Sequence, residues 1–269
     1  METLDGMLTA AIDGDFQESA FNESRLSALE TRFAHYFSAS AISAKNVARE
    51  KERIEALIGD ISHQTKTPIA NLLLYTELLQ EEKLSPEAKG YADILYMQAE
   101  KLRFLIDALV KLSRLENGII ALRPERSLLA PMLVQVEQQF ASIAAEKGLY
   151  FEIEPTDAAA CFDSKWTMEA LCNLVDNAIK YTRNGGISIS IQTYEMFIRI
   201  DVEDTGIGIP EEEQAKIFSR FYRSDQNTQQ EGVGIGLYLA REILQNEGGY
   251  IKVQSEKGKG SVFSMFLPA

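Results

Sequence analysis

His63 stands in the run Asp60-Ile-Ser-His63-Gln64-Thr-Lys-Thr67-Pro68. A neutral imidazole is a competent nucleophile. The other histidine, His35, lies in Thr-Arg-Phe-Ala-His-Tyr-Phe and has no comparable surroundings. Further along, Leu171, Leu174, Val175 and Ala178 fall on one face of a helical pattern, while Asn173, Asn177 and Lys180 at i, i+4 and i+7 share the opposite face. That polar face is either simply solvated or a ligand set. An Asn carbonyl oxygen is a suitable hard ligand for Mg²⁺, and Lys180 supplies a point charge for phosphate oxygens.

Two glycine-bearing runs follow. In Asp204-Thr-Gly206-Ile-Gly208-Ile-Pro210 the aspartate continues the parity of Ile198, Ile200 and Val202, which aims its carboxylate at the buried face of a strand. A buried carboxylate needs donors. The exocyclic amino group of adenine, supported by water, would supply one, and Gly206 and Gly208 would let such a ligand approach the backbone; the run could equally be only a turn. Phe218-Ser-Arg-Phe221-Tyr222-Arg223 then leads through a polar stretch, Ser224 to Glu231, into Gly232-Val-Gly234-Ile-Gly236-Leu237 at the start of a helix. Unpaired amides at such a start suit an anion as large as a triphosphate, and the composition of the preceding stretch suits a mobile lid. No Gly-Lys-Ser/Thr follows, so this is not a phosphate loop, and the acidic residue of a dinucleotide fingerprint is missing too.

These residues need elements to hold them. From Asn22 to Ile58 the chain has helix-forming composition without proline. From Ile54 a coiled-coil seam runs through Ile58, Ile61, Thr65, Pro68, Leu72, Tyr75 and Leu79, with Pro68 expected to bend the helix. Ser85-Pro86-Glu87 opens a second helix, whose seam of Leu95, Leu102, Leu105, Leu109 and Leu112 ends near Asn117-Gly118. Two such helices make a hairpin, and one hairpin alone leaves its seam in water, so pairing with a second copy into a four-helix bundle is expected. After Gly118 the texture changes. Helices are predicted over 127–147, 164–182 and 234–246, and strands over 150–154, 186–193, 196–203, 250–255 and 261–267. The fold class expected is α+β, a helical hairpin followed by an α/β sandwich whose strands are mainly hairpin-connected, unlike a parallel Rossmann sheet.

Composition narrows the partners. The formal net charge of −13 over 269 residues disfavours nucleic acid and anionic lipid, so no nucleic-acid partner is expected. Cys161 and Cys172 have neither metal-ligand nor disulfide spacing and read as reduced structural thiols. No apolar run is long enough to cross a bilayer, so a cytoplasmic location is expected, with any anchoring in an inner membrane left to a segment outside this chain.

Taken in order, these runs resemble the H, N, G1, F and G2 boxes of sensor histidine kinases of the HisKA type, over about Lys51 to Pro268. The resemblance implies ATP and Mg²⁺ as ligands, His63 as phospho-acceptor and Asn177 as the metal-holding residue. Asn173, Lys180 and Tyr181 would line the nucleotide site, Asp204 would read adenine, Gly206 and Gly208 would border the base, and Gly232, Gly234, Gly236 and Leu237 would bound the phosphate-side lid. It implies a homodimer, an aspartate on a response-regulator receiver domain as the next acceptor, and a division into a signalling helix (1–50), a dimerisation and phosphotransfer domain (51–118) and a catalytic ATP-binding domain (119–269). The domain would have the ATP-binding fold shared with gyrase and the mismatch-repair ATPases. Gln64 departs from the family, which usually carries Glu or Asp there; an amide can orient the ring but cannot take its proton. Thr67, one turn beyond His63, matches a position such kinases use to place water when they act as phosphatases.

Overall fold

Why the chain turns back on itself is written at Ser85. Its hydroxyl accepts the N–H of Ala88 at 3.2 Å and Pro86 occupies the first helical position, so a helix begins there. The computed structural model describes residues 25–224 and 234–269. Helix α1 (Arg25–Glu81) runs without interruption through Pro68, and α2 (Pro86–Glu116) ends where Gly118 adopts φ 60°, as the Asn117-Gly118 pair predicted. The structure forms two units divided inside α1, Met1–Asp60 and Ile61–Ala269. In the described part of the first, Tyr36, Ile42 and Val47 are exposed, as is His35.

Within the second unit the hairpin closes around a small residue of α2. Ile69 and Leu73 of α1 pack with Ala99 of α2 and with the half-buried Tyr96 and Ile106. Much of the predicted seam faces out, with Ile61, Leu72, Tyr75 and Leu79 on α1 and Leu95, Leu102 and Leu109 on α2 all exposed, whereas Ile58 is buried and Thr65 and Leu105 are half-buried. Leu112 departs from it. Together with Leu115 it is 1% exposed and belongs to the core of the sandwich that follows.

That sandwich comprises β1 (Glu125–Leu128), α3 (Ala130–Glu146), β2 (Tyr150–Ile153), β3 (Ala159–Phe162), α4 (Ser164–Tyr181), β4 (Gly186–Thr193), β5 (Phe197–Asp204), α5 (Glu211–Gln214), α6 (Gly236–Asn246), β6 (Tyr250–Glu256) and β7 (Gly260–Pro268). The main sheet has the order β2-β4-β5-β7-β6, antiparallel except for the β2–β4 pair, and β1 pairs with β3 in a separate ribbon. Alternation decides which face is buried. Ile187 and Ile189 of β4, Ile198, Ile200 and Val202 of β5, and Phe263, Met265 and Leu267 of β7 are buried beneath α3, α4 and α6. Across β5 and β7 the rungs pair Ile198 with Leu267, Ile200 with Met265 and Val202 with Phe263; the next rung is polar, Asp204 with Ser261. β6 forms one open edge of the sheet.

Candidate functional site

Where the apolar ladder gives way to Asp204 and Ser261, the sheet opens into a cavity of about 920 Å³. Helix α4 supplies its polar wall. Asp163 caps the helix by accepting the N–H groups of Lys165 and Trp166, and Leu171, Leu174 and Val175, each 0% exposed, fix the underside. Asn173, Asn177, Lys180 and Tyr181 consequently face the cavity. The amide of Asn173 is oriented, because its Nδ2 donates to the Glu169 carbonyl at 2.9 Å. Its Oδ1 would lie 2.8 Å from any Cβ at position 236, so a glycine there lets the start of α6 come this near α4. The Lys180 ammonium pairs with Asp176 at 2.5 Å.

Asp204 is buried, as its parity on β5 predicted. Burial pushes its carboxyl above the usual carboxylate range, against the N–H of Gly206, 2.8 Å away, and hydrogen bonds from the backbone and hydroxyl of Ser261. It lines the cavity with Ser261, Ile207, Gly208 and Ile209. Gly208 has φ 65°, and a Cβ on it would stand 2.0 Å from the Glu256 carbonyl oxygen, so both backbone conformation and space require glycine. Gly234, Gly236 and Leu237 line the far side with Tyr222, Arg223 and Ser224. The N–H of Phe221, a non-glycine residue at φ 60°, donates to the Gly234 carbonyl at 2.9 Å. Gly206 contacts Asp204 without lining the cavity, and Gly232, with most of the polar stretch before it, lies outside the described residues.

The phospho-acceptor run is placed differently. His63, Gln64 and Thr67 are exposed on α1, between the buried Ser62 and Ile69, and do not line the cavity. Several lining residues had gone unread. Ser261 could have been found from the pairing of β5 with β7, and Lys257 and Phe263 flank it in sequence. The α2 residues Tyr96, Met97, Glu100, Lys101 and Phe104 also line it, with no local signal. Both cysteines are free; burial, with Glu169 and Asp176 adding, pushes the Cys172 thiol up to about 11.

The cavity thus lies at the polar end of a layered sandwich that follows a helical hairpin. Residues 162–269 match the family described as histidine kinase-, DNA gyrase B- and HSP90-like ATPase, and residues 53–118 match the His kinase A phospho-acceptor domain. The chain belongs to the sensor histidine kinases. It is 31% identical over 219 residues to the aerobic respiration control sensor protein ArcB of Escherichia coli K12, which covers 79% of this chain but only 28% of that relative. The chain also resembles full-length ShkA, solved in complex with AMPPNP, at 27% identity and a TM-score of 0.65, covering 80% of this chain and 46% of the other. Kinase ThkA, solved with the response regulator TrrA, shares the fold at 24% identity and a TM-score of 0.58, over 84% of this chain and 66% of the other. Among the described residues no helix is long and apolar enough to cross a membrane.

Proposed function

We propose that this chain binds ATP in the cavity of the C-terminal sandwich, phosphorylates His63 and passes the phosphoryl group to an aspartate of a response-regulator receiver domain. The observation that carries the reading is an exposed imidazole on a helical hairpin in the same chain as a cavity walled by Asn173, Asn177 and Asp204. Asp204 accepts a hydrogen bond from the adenine amino group. Gly206 and Gly208 border the base, Gly232, Gly234, Gly236 and Leu237 bound the phosphate side, and Lys180 and Tyr181 complete the nucleotide wall. The neutral amide oxygens of Asn173 and Asn177 are donors of the kind Mg²⁺ accepts when most of its ligands are water and phosphate, and Asn177 would hold it. Bound there, the ion would offset charge on the β- and γ-phosphates.

A ring nitrogen of His63 attacks the γ-phosphorus in line. The N–P bond forms as the bond to the bridging oxygen breaks, and ADP leaves with that electron pair. Gln64 has no site for the imidazole proton, which goes to water or another base. The phosphoramidate then donates to the receiver aspartate. A second reading, phosphatase action on the same regulator, rests on Thr67 being exposed one turn from His63.

A second copy of the chain would cover the outward seam of Ile61, Leu72, Leu95, Leu102 and Leu109 and complete the four-helix bundle. The functional division is then 1–50, 51–118 and 119–269. The working compartment is the cytoplasm, with membrane attachment through segments outside this chain. To test the central claim, the chain is incubated with Mg²⁺ and ATP labelled at the γ-phosphate. Acid-labile, alkali-stable label that disappears in His63→Gln is expected; label that survives the substitution refutes the acceptor assignment.

A further inference from the structure

Part of the cavity's wall belongs to the hairpin. Met97, Lys101 and Phe104, at i, i+4 and i+7, form one stripe of α2, and all three line the cavity that holds Asn177 and Asp204. Met97 and Phe104 are 49% and 53% exposed, large apolar groups left open on that side. The neighbouring acid is already engaged, since Glu100 pairs with Arg103 at 2.5 Å. Among the described residues Lys101 has no ion pair, whereas the Lys180 ammonium is held by Asp176. An uncompensated ammonium beside a cavity is a site for an anion.

The stripe is held in place by the end of the same helix. Leu112 and Leu115 are sunk in the sandwich core, Lys111 pairs with Glu169 of α4 at 2.7 Å, and Glu116 accepts from both Arg220 and the Tyr238 hydroxyl. Arg220 also lies over the Tyr238 ring. Helix α2 is therefore anchored about two turns beyond Phe104, and its cavity-facing stripe is presented without further ordering.

Resting on the reading of the cavity as an ATP site, we propose that α2 is the outer wall of that site, with Lys101 contacting the polyphosphate and Met97 and Phe104 closing over the nucleotide. ATP then bridges hairpin and sandwich, and its affinity depends on where α2 sits.

The test uses the full chain. Calorimetry compares AMPPNP and adenosine binding to the parent, Lys101→Ala, Lys101→Glu and Asn177→Ala, while amide hydrogen exchange follows residues 96–105 with and without AMPPNP. Lys101→Ala should weaken AMPPNP about three- to tenfold, as expected of a partly solvated charge pair, Lys101→Glu should weaken it further, and adenosine should bind all variants of Lys101 equally. AMPPNP should slow exchange along 96–105 in the parent. Unchanged AMPPNP affinity in both Lys101 variants, or exchange along α2 indifferent to AMPPNP, overturns the proposal. Failure of Asn177→Ala to weaken AMPPNP would instead overturn the reading of the cavity itself.

Discussion

Helices α1 and α4 each carry a run of functional residues, and they hold them in opposite ways. Around His63 the side chains of Ile61, Gln64 and Thr67 are exposed, and among the described residues no side-chain hydrogen bond or ion pair reaches the imidazole. On α4 the residues beneath Asn173 and Asn177 are completely buried, Asn173 is tied to the backbone and Lys180 to Asp176. The contrast follows from the chemistry assigned to them. A nucleophile that must meet a nucleotide and then a second protein has to stay accessible, whereas groups that bind a transition state act best when already oriented.

Exchanging the two roles gives the sharpest test. Asn177→Ala should weaken nucleotide binding by roughly a hundredfold or more, in line with the loss of a group that contacts the ligand directly, while His63→Ala should leave the Kd within about twofold. Calorimetry with AMPPNP decides it, and comparable losses would erase the distinction. Next in size, Leu174→Ala under α4 should cost about 2–5 kcal/mol of unfolding free energy. If a second copy covers the exposed seam, Leu72→Ala should cost a concentrated sample stability through loss of that pairing, and its effect in denaturant titrations should fade on dilution.

A third test lies at the base of α4. The buried carboxylate of Glu247 accepts the Thr167 hydroxyl at 2.8 Å and the Asp163 N–H at 3.0 Å, joining the end of α6 to the start of α4. Burial pushes its pKa up from 4.5 to about 7, against those hydrogen bonds and with Asp163 adding to the rise. Between those values the folded state holds a proton that the unfolded state has released. The associated stability is thus complete below 4.5 and is lost as pH rises through about 7. Glu247→Gln should flatten the melting temperature over that window and raise it at pH 8, by an amount corresponding to about 1–3 kcal/mol. An unchanged pH profile would remove Glu247 as the joint. Smallest of all, Lys111→Ala should lower stability by less than about 1 kcal/mol, because the Lys111–Glu169 pair is partly open to solvent, which screens it.

Legibility differed between the same two helices. The face of α4 could be read because Leu171, Leu174, Val175 and Ala178 repeat at helical spacing, and Asp204 because it extends an alternation of β-branched residues. The hairpin interior could not be read in this way. On the α2 side its buried residues include Ala92 and Ala99, too small to stand out, while Leu95, Leu102 and Leu109 face outward. Leu112 looked like one more seam position because helical period is blind to which neighbour lies at the end of the helix. Strands β1 and β3 were lost for another reason: Glu-Arg-Ser-Leu and Ala-Ala-Cys-Phe are four residues each and show no alternation of polar and apolar side chains. Ser261 and Lys101 reach the cavity only through strand order and helix docking, neither of which leaves a mark at their own positions.

The open edge at β6 takes on weight once two copies are joined through their stalks. In the proposed dimer, tethering would bring two such edges to an effective concentration on the order of millimolar, a condition that favours unwanted sheet-to-sheet addition. Along this margin Lys252, Gln254 and Glu256 are exposed, Lys252 rests over the rings of Tyr250 and Phe266, and Gln214 already donates to the Ser255 carbonyl at 2.8 Å. In such a dimer, a charged and partly occupied border would let two sandwiches crowd one another without fusing.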